Sequence, residues 1–253
     1  SALSDMAGVP KPQIESLINK QNDHAGAVAR IAKSLNLTLP EIDVVDYERS
    51  GYLPSVLCNY ISLLGWNPGN DIERFDLDYF VKHFSLERIN KSNARFDRQK
   101  LYRFNKEVLA DLPLDNFSVK LEMHLSKYYP KFFGRLKNKF SQFAEMYQSR
   151  SGTISEPAIA GWFFGATDED LQYDAKTIDK FLTKHNGEGF TVLAELRKTL
   201  ASLNAWSASE INTAICDYAE KRQLNMKKVA QPLRVAVSGG SVSPPIDQTL
   251  LIL

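Results

Sequence analysis

The chain has 253 residues, 43% of them hydrophobic and 24% charged, a mix that supports globular cores without external staples. Lys and Arg number 31 against 30 Asp and Glu, a formal net charge of +1, so bulk charge offers no attraction to a polyanion. Any nucleic-acid surface must come from local clustering of cations. No apolar run approaches the roughly 20 residues that a membrane-spanning helix needs.

Residues 3–45 are mixed. Short helices around Ile14–Asn19 and Gly26–Leu35 are expected between Pro10, Pro12 and Pro40, with no fold of their own. From Tyr47 the pattern sharpens. Pro54 suits a first helical turn, and Val56, Tyr60, Leu63 and Leu64 follow on one face. Gly65 is placed to end that helix, and Asn67-Pro68-Gly69 reads as a turn. Asp76 can cap a helix carrying Leu77, Phe80, Val81 and Phe84. Asp97 can cap another with Leu101, Phe104 and Val108.

A second block opens at Asn116. Pro130 is expected to start one long helix with Phe133, Leu136, Phe140, Phe143 and Tyr147 on a single face. Lys131, Arg135 and Lys139, spaced by four, form a separate stripe that suits either solvent or RNA. Residues 148–157, rich in Ser and Gly, read as a loop. In the third block, Asp174 can cap a helix over Ala175–His185, with Gly187 beyond its end. Phe190, Leu193, Leu196, Leu200 and Leu203 mark the next helix, and Ser207 with Glu210 caps a further one. Pro232 is expected to start a short helix that runs through Val237 and breaks at Gly239-Gly240. Alternating strand patterns are nearly absent, so the expected fold class is all-α.

Catalytic and metal motifs are missing. His24, His83, His124 and His185 are scattered, and no phosphate-binding glycine loop or nucleophile motif occurs. Ser238-Gly239-Gly240-Ser241 follows a helix rather than a strand and reads as a helix-ending turn. Asp43 and Asp46 read as solvated loop acids. Cys58 and Cys216 lie on apolar stripes; their number allows a disulfide, and buried thiols are the preferred reading.

Two segments go beyond pattern. Residues 51–66, from Gly51-Tyr52-Leu53-Pro54 to Leu64-Gly65-Trp66, together with Asn67-Pro68-Gly69 and the run from Ile89 to Asp97, resemble glutamyl-tRNA synthetases of the bacterial type. So does Gln231-Pro232-Leu233-Arg234-Val235-Ala236-Val237-Ser238-Gly239 followed by Val242-Ser243-Pro244-Pro245. The two lie in the family's order and cover about a third of the chain; residues 113–230 match by helical pattern alone.

The resemblance implies a remnant or linker over 1–45 and a stem-contact helical module over 46–112. Two helical anticodon-binding modules, 113–186 and 187–253, would follow. It implies tRNA(Glu) as the partner of a monomeric, cytoplasmic protein, with no membrane and no DNA. It implies no cofactor in this portion, with ATP and Mg belonging to the active site of the whole ligase. By the same resemblance Arg234, Ser243, Pro244 and Ile246 read the anticodon, with Arg135 and Lys139 on the helix near its third base. The side chains suit that use: a guanidinium stacks on or bonds a splayed base, and Pro and Ile offer apolar faces. Arg234 also suits a solvated helix face, and Pro244-Pro245 a merely rigid turn. The rival to the whole reading is a helical protein-interaction module with no RNA role.

Overall fold

A computed structural model of the chain describes residues 2–19, 21, 25–37, 39–91 and 94–253, and assigns them to two compact units, Ser1–Ser50 and Gly51–Leu253. His24 and the Ser92-Asn93 part of the Ile89–Asp97 run lie outside the described residues. Apart from one antiparallel bridge between Trp66 and Ile89, the described secondary structure is helical, so the all-α expectation holds.

The first unit contains α1 (Ala2–Ala7), α2 (Lys11–Ile18), α3 (Ala25–Ser34) and α4 (Val44–Arg49). The sequence pattern predicted no independent fold here, but Ala7, Val9, Ile14 and Ala27 share a small core with Leu3, Leu17 and Ile31 against it. Small side chains let short helices approach closely, so little apolar sequence suffices. Asp46 is an exposed acid, as expected, with a local role besides: its carboxylate accepts the N–H groups of Ile42 and Asp43 and secures the start of α4.

The second unit opens with α5 (Pro54–Gly65), α6 (Leu77–His83) and α7 (Arg98–Asp111). Val56 and Tyr60 of α5 are buried, as are Leu101, Phe104 and Leu109 of α7. The expected caps form: Asp76 accepts the Tyr79 N–H at 2.8 Å, and Asp97 accepts from Gln99 and Lys100. On α6 the expected apolar face is not buried: Leu77 and Val81 are exposed, as is Phe84 just after the helix. The helix is only two turns long, and its aromatic side chains gather at Trp66, which meets Phe75, Phe80 and Phe84, while the opposite face stays in solvent. Cys58 also departs from its expected burial: it is exposed and unbridged, while Cys216 is half-buried and unbridged.

Next come α8 (Leu114–Tyr128), α9 (Pro130–Leu136), α10 (Phe140–Gln148) and α11 (Glu156–Ala160). Phe117, Leu121, Leu125, Leu136, Phe143 and Ala144 are buried here. The predicted single helix from Pro130 is two, separated by a 3-10 turn over Lys137–Lys139. The tighter turn rotates α10 relative to α9, so Phe132 as well as Phe133 finds an aromatic partner on α10.

Residues 149–155 form the predicted loop, yet Ser151, Gly152, Thr153, Ile154 and Ser155 are buried. Their polar groups are satisfied internally. Gly152 N–H donates to Glu156, Ser151 donates to the Tyr147 carbonyl, and Thr153 and Ser155 share a hydrogen bond. Asn105, with no exposed surface, accepts the Leu53 N–H at 2.8 Å and donates to the Gly152 carbonyl at 2.6 Å. Beside it Gly51 takes φ +80°, and a Cβ there would lie 2.5 Å from the Ser155 nitrogen, so only glycine permits the approach.

The last part holds α12 (Ala175–Ile178), α13 (Lys184–Ala201), α14 (Ala208–Lys221), α15 (Met226–Ser238) and α16 (Ile246–Ile252). Asp174 caps α12 as expected, accepting the Thr177 N–H at 2.8 Å, but the helix does not reach His185. A π-turn over Asp179–Thr183 intervenes and buries Leu182, and the left-handed Asn186 and Gly187 fall within the first turn of α13. On α13 the buried stripe is Val192, Leu196 and Leu200, whereas Phe190 is exposed. Ser207 caps α14 by accepting the Glu210 N–H. Helix α15 starts six residues before Pro232, because Asn225 accepts the Lys228 N–H and caps it there; Pro232 is tolerated mid-helix at the loss of one backbone bond. Gly239, at φ +72°, ends it as predicted, and a Cβ there would lie 2.1 Å from the Gln172 carbonyl oxygen. Val192, Leu196, Ile211, Ile215, Val229, Leu233 and Ile246 share the core of this part.

Replacing Asn105 by Ala strands a buried N–H and a buried C=O and is expected to destabilise the chain by roughly 2–4 kcal/mol. Urea unfolding of the full chain measures this, and a loss below about 1 kcal/mol refutes the bridging role.

Candidate nucleic-acid interface

Arg234 stands in the penultimate turn of α15, half-buried, with its Nε out of solvent and without a hydrogen-bond partner among the described residues. Gln231, one turn earlier, carries a buried side-chain carbonyl oxygen in the same condition. A donor and an acceptor at i and i+3 on one helix share a face. Groups this well suited to each other yet unjoined carry a desolvation cost that a polar ligand relieves. Gln231 belongs to the recognisable segment, but its type alone did not mark it as a site residue.

After Gly239 the chain turns through Ser243, Pro244 and Pro245 into α16. Ser243 is half-buried and its hydroxyl donates to the Pro244 carbonyl at 3.0 Å. Thr249, fully buried, donates its N–H to the Pro245 carbonyl at 2.9 Å and its hydroxyl to that of Pro244 at 3.4 Å. The turn is thus held from beneath by α16. Pro244 is itself buried, though it still lines an open groove. Ile246 is only 7% exposed and packs in the core with Val229 and Leu233. The resemblance made it an apolar face for a base, but here that side chain is directed inward, where it gains more from burial than on a turn.

Arg135 and Lys139 are engaged within the protein. Arg135, on α9, donates to the Gly165 carbonyl and pairs with Asp170 at 3.2 Å. Lys139 donates to the Leu251 carbonyl at 2.6 Å, satisfying an end carbonyl of α16. The Lys137–Lys139 turn also breaks the spacing that lines Lys131, Arg135 and Lys139 into one stripe. Arg135 and Lys139 therefore brace α9 and α16, while Arg234 and Ser243 keep polar groups near the surface. Among the described residues no group of three or more His, Cys, Asp or Glu side chains is arranged to hold a metal ion, and no helix is long and apolar enough to cross a membrane.

A groove of about 270 Å³ lies beside the turn, lined by Tyr147, Arg150, Ser151, Ile159, Val242 and Pro244 among others. Nothing in the spacing of these residues announced it. It forms only because the buried 149–155 loop brings α10, α11 and the 242–244 turn together.

Solved structures share this helical arrangement. A glutamate tRNA ligase from Elizabethkingia meningosepticum, in complex with its amino acid, aligns over 89% of this chain and 45% of its own, with TM-score 0.67 and 23% identity. The glutamate-tRNA synthetase of Elizabethkingia anophelis aligns with TM-score 0.64 and 24% identity over the same shares. These likenesses define a fold class, the all-α architecture found in part of those enzymes. Residues 120–253 match the anticodon binding domain family, and the chain belongs to that family. The glutamate–tRNA ligase of Francisella tularensis subsp. novicida is 32% identical over 214 residues, 84% of this chain and 44% of the relative. Glutamate–tRNA ligase 1 of Alkalilimnicola ehrlichii is 35% identical over 219 residues, 84% of this chain and 43% of the relative. The chain thus spans less than half the length of these relatives. The family match favours RNA reading over the protein-interaction module.

Asp170 supplies a pH test of the Arg135 brace. The Thr167 N–H and hydroxyl, and then Arg135, hold its carboxyl below the ordinary aspartate range. A depressed folded-state value means that the stabilisation is fully present above the unfolded value and disappears as pH falls through the folded one. The Thr167 amide resonance is therefore expected to titrate at a pH below the usual aspartate midpoint and to lose that transition in Asp170→Asn. A midpoint at or above the ordinary value refutes the assignment.

Proposed function

We propose that this chain is the tRNA-reading portion of a glutamate–tRNA ligase, with tRNA(Glu) as its partner and α15 with the turn after it as the anticodon contact. What carries the reading is Arg234: a half-buried side chain whose Nε has no hydrogen-bond partner among the described residues, inside a region that matches the anticodon-binding family. The names of the relatives support glutamate as the amino acid of the whole protein. Activation of glutamate with ATP and Mg belongs, in this proposal, to the remainder of such a ligase. The same reading makes residues 46–112 the stem-contact module and 113–186 and 187–253 the two anticodon-binding modules, in a monomeric, cytoplasmic protein.

Arg234 acts on a base rather than as a general cation. A guanidinium stacks on an unstacked base and bonds its edge, and such contacts are worth roughly 1–3 kcal/mol per base. Ser243, in the turn that follows α15, is half-buried with its hydroxyl donated to the Pro244 carbonyl. Pro244 stiffens the turn and gives an apolar edge to the groove. Ile246, Arg135 and Lys139 contribute through the framework: Ile246 anchors α16, and the two cations hold α9 and the α16 terminus in place. With a formal net charge of +1, the phosphate contribution is local, so affinity depends on salt with a log–log slope of about −0.7 per phosphate neutralised in a single-stranded loop.

Fluorescence anisotropy with labelled tRNA tests this. Arg234→Ala is expected to weaken binding to tRNA(Glu) by about ten-fold or more, and binding to an unrelated tRNA by much less. Equal loss for both reduces Arg234 to a non-specific cation, and no measurable tRNA binding by the unaltered chain overturns the reading.

A further inference from the structure

A hollow of about 360 Å³ opens where the first turn of α15 meets the π-turn over Asp179–Thr183. None of the residues that the resemblance assigns to RNA lines it. Four of its lining side chains are lysines: Lys180 and Lys184 from the π-turn and the start of α13, Lys227 and Lys228 from the first turn of α15. All four are exposed. Like charges gathered round one hollow repel each other, so the arrangement works against the fold unless an anion relieves it. Two local features impose it. Gly189 lets α13 press against the π-turn, because a Cβ there would lie 2.1 Å from the Phe181 carbonyl oxygen. Asn225, which also lines the hollow, accepts the Lys228 N–H and so starts α15 at its edge.

The protein answers only part of this charge. Glu188, the one carboxylate in the lining, pairs with Lys228 at 3.1 Å. Asp179 is 4.0 Å from the Lys184 ammonium and already accepts the Thr183 hydroxyl. Lys180 lies over the Phe181 ring at 5.0 Å, and Lys227 has no ion pair among the described residues. The first N–H groups of α15 and its dipole add to the positive potential. Little here suits a base: Phe181 is half-buried under Lys180, and Pro232 is buried. An ammonium on a flexible stem is a point charge that neutralises a phosphate without the fixed plane that base reading needs. On α15, Lys227 precedes Gln231 by four residues and Arg234 by seven, spacings that share a helix face. Lys227 therefore belongs both to the hollow and to the Arg234 face, roughly 10 Å along the axis from that arginine.

We propose that this hollow seats the phosphodiester backbone of the bound RNA, with Lys180, Lys184 and Lys227 each neutralising a phosphate of the strand that reaches Arg234. The seat sets the register of that strand and reads no sequence. The inference rests on the anticodon-reading proposal above and adds to it a phosphate contact at the opposite end of α15. With a formal net charge of +1 on the whole chain, bulk charge supplies no substitute for it.

The test uses the full chain, fluorescence anisotropy and two labelled RNAs, tRNA(Glu) and an unrelated tRNA, over a series of salt concentrations. The Lys180→Ala/Lys184→Ala/Lys227→Ala variant changes exposed side chains only, and an unshifted thermal unfolding curve checks that the fold is kept. It is expected to bind both RNAs about ten-fold more weakly or worse, and to flatten the log–log salt slope by about 2, from about 0.7 for each phosphate. An affinity within about two-fold of the unaltered chain, or an unchanged slope, overturns the seat. So does a similar loss in Lys11→Ala/Lys33→Ala, which removes exposed cations of the first unit, because the effect is then one of bulk charge. Methylphosphonates placed one at a time in an anticodon stem-loop locate the contact: a few neighbouring positions are expected to weaken the unaltered chain but not the lysine variant. If every position affects both proteins equally, the seat is overturned. If Arg234→Ala stays selective for tRNA(Glu) while the lysine variant binds normally, the seat fails and the anticodon reading stands. If the unaltered chain binds neither tRNA, both fall together.

Discussion

Asn105 sits without exposed surface between a backbone N–H at Leu53 and a backbone carbonyl at Gly152, partners 52 and 47 residues away. A buried amide with both ends satisfied by backbone is directional in a way that apolar packing is not. It joins the start of α5, the body of α7 and the loop between α10 and α11. The Gly51 carbonyl, accepting the Ile154 N–H at 2.9 Å, adds a second link at the same point. Gln148 completes the set by donating to the Leu109 and Leu112 carbonyls at the end of α7. Because these contacts are to backbone, they fix where a loop of small polar residues runs, and that loop carries Arg150 and leads into α11.

The consequence reaches the proposed RNA contact. Helix α11 meets the 242–244 turn only where the buried loop delivers it, and the turn stays in place because Thr249 bonds it from below. Lys139 and Trp206 donate to the carbonyls of Leu251 and Leu250 and hold the end of α16 in turn. Polar side chains thus act here as joints between helices, and Arg234 and Gln231 carry buried polar atoms that no joint among the described residues uses.

Much of the helical order was legible. Helix starts at Pro54, Asp76, Asp97, Asp174 and Ser207 follow from local capping chemistry, which depends on neighbours in sequence and so survives any tertiary arrangement. Stripes on α5, α7 and α14 were legible for the same reason. The errors have a common cause. Leu77, Val81 and Phe190 look like core residues by spacing, but spacing says which side chains share a face, not whether another element covers it. The resemblance assigned Ile246 and Lys139 to RNA, yet Ile246 packs in the core with Val229 and Leu233 and Lys139 donates to the Leu251 carbonyl, 112 residues away. Ser and Gly content marked residues 148–157 as a loop but says nothing of burial, which depends on partners from α7 and the 51–53 segment.

The amino-acid order by itself determined that the chain is all-α, where several of its helices begin, and, through two recognisable segments, its resemblance to glutamyl-tRNA synthetases. Those are matters of local hydrogen bonding and of residue identity. Only the tertiary structure decided which apolar faces are covered, which cations are occupied by carbonyls and carboxylates, and that a groove opens beside Pro244. Each of these depends on distances between atoms remote in sequence, and no periodicity or composition encodes such distances.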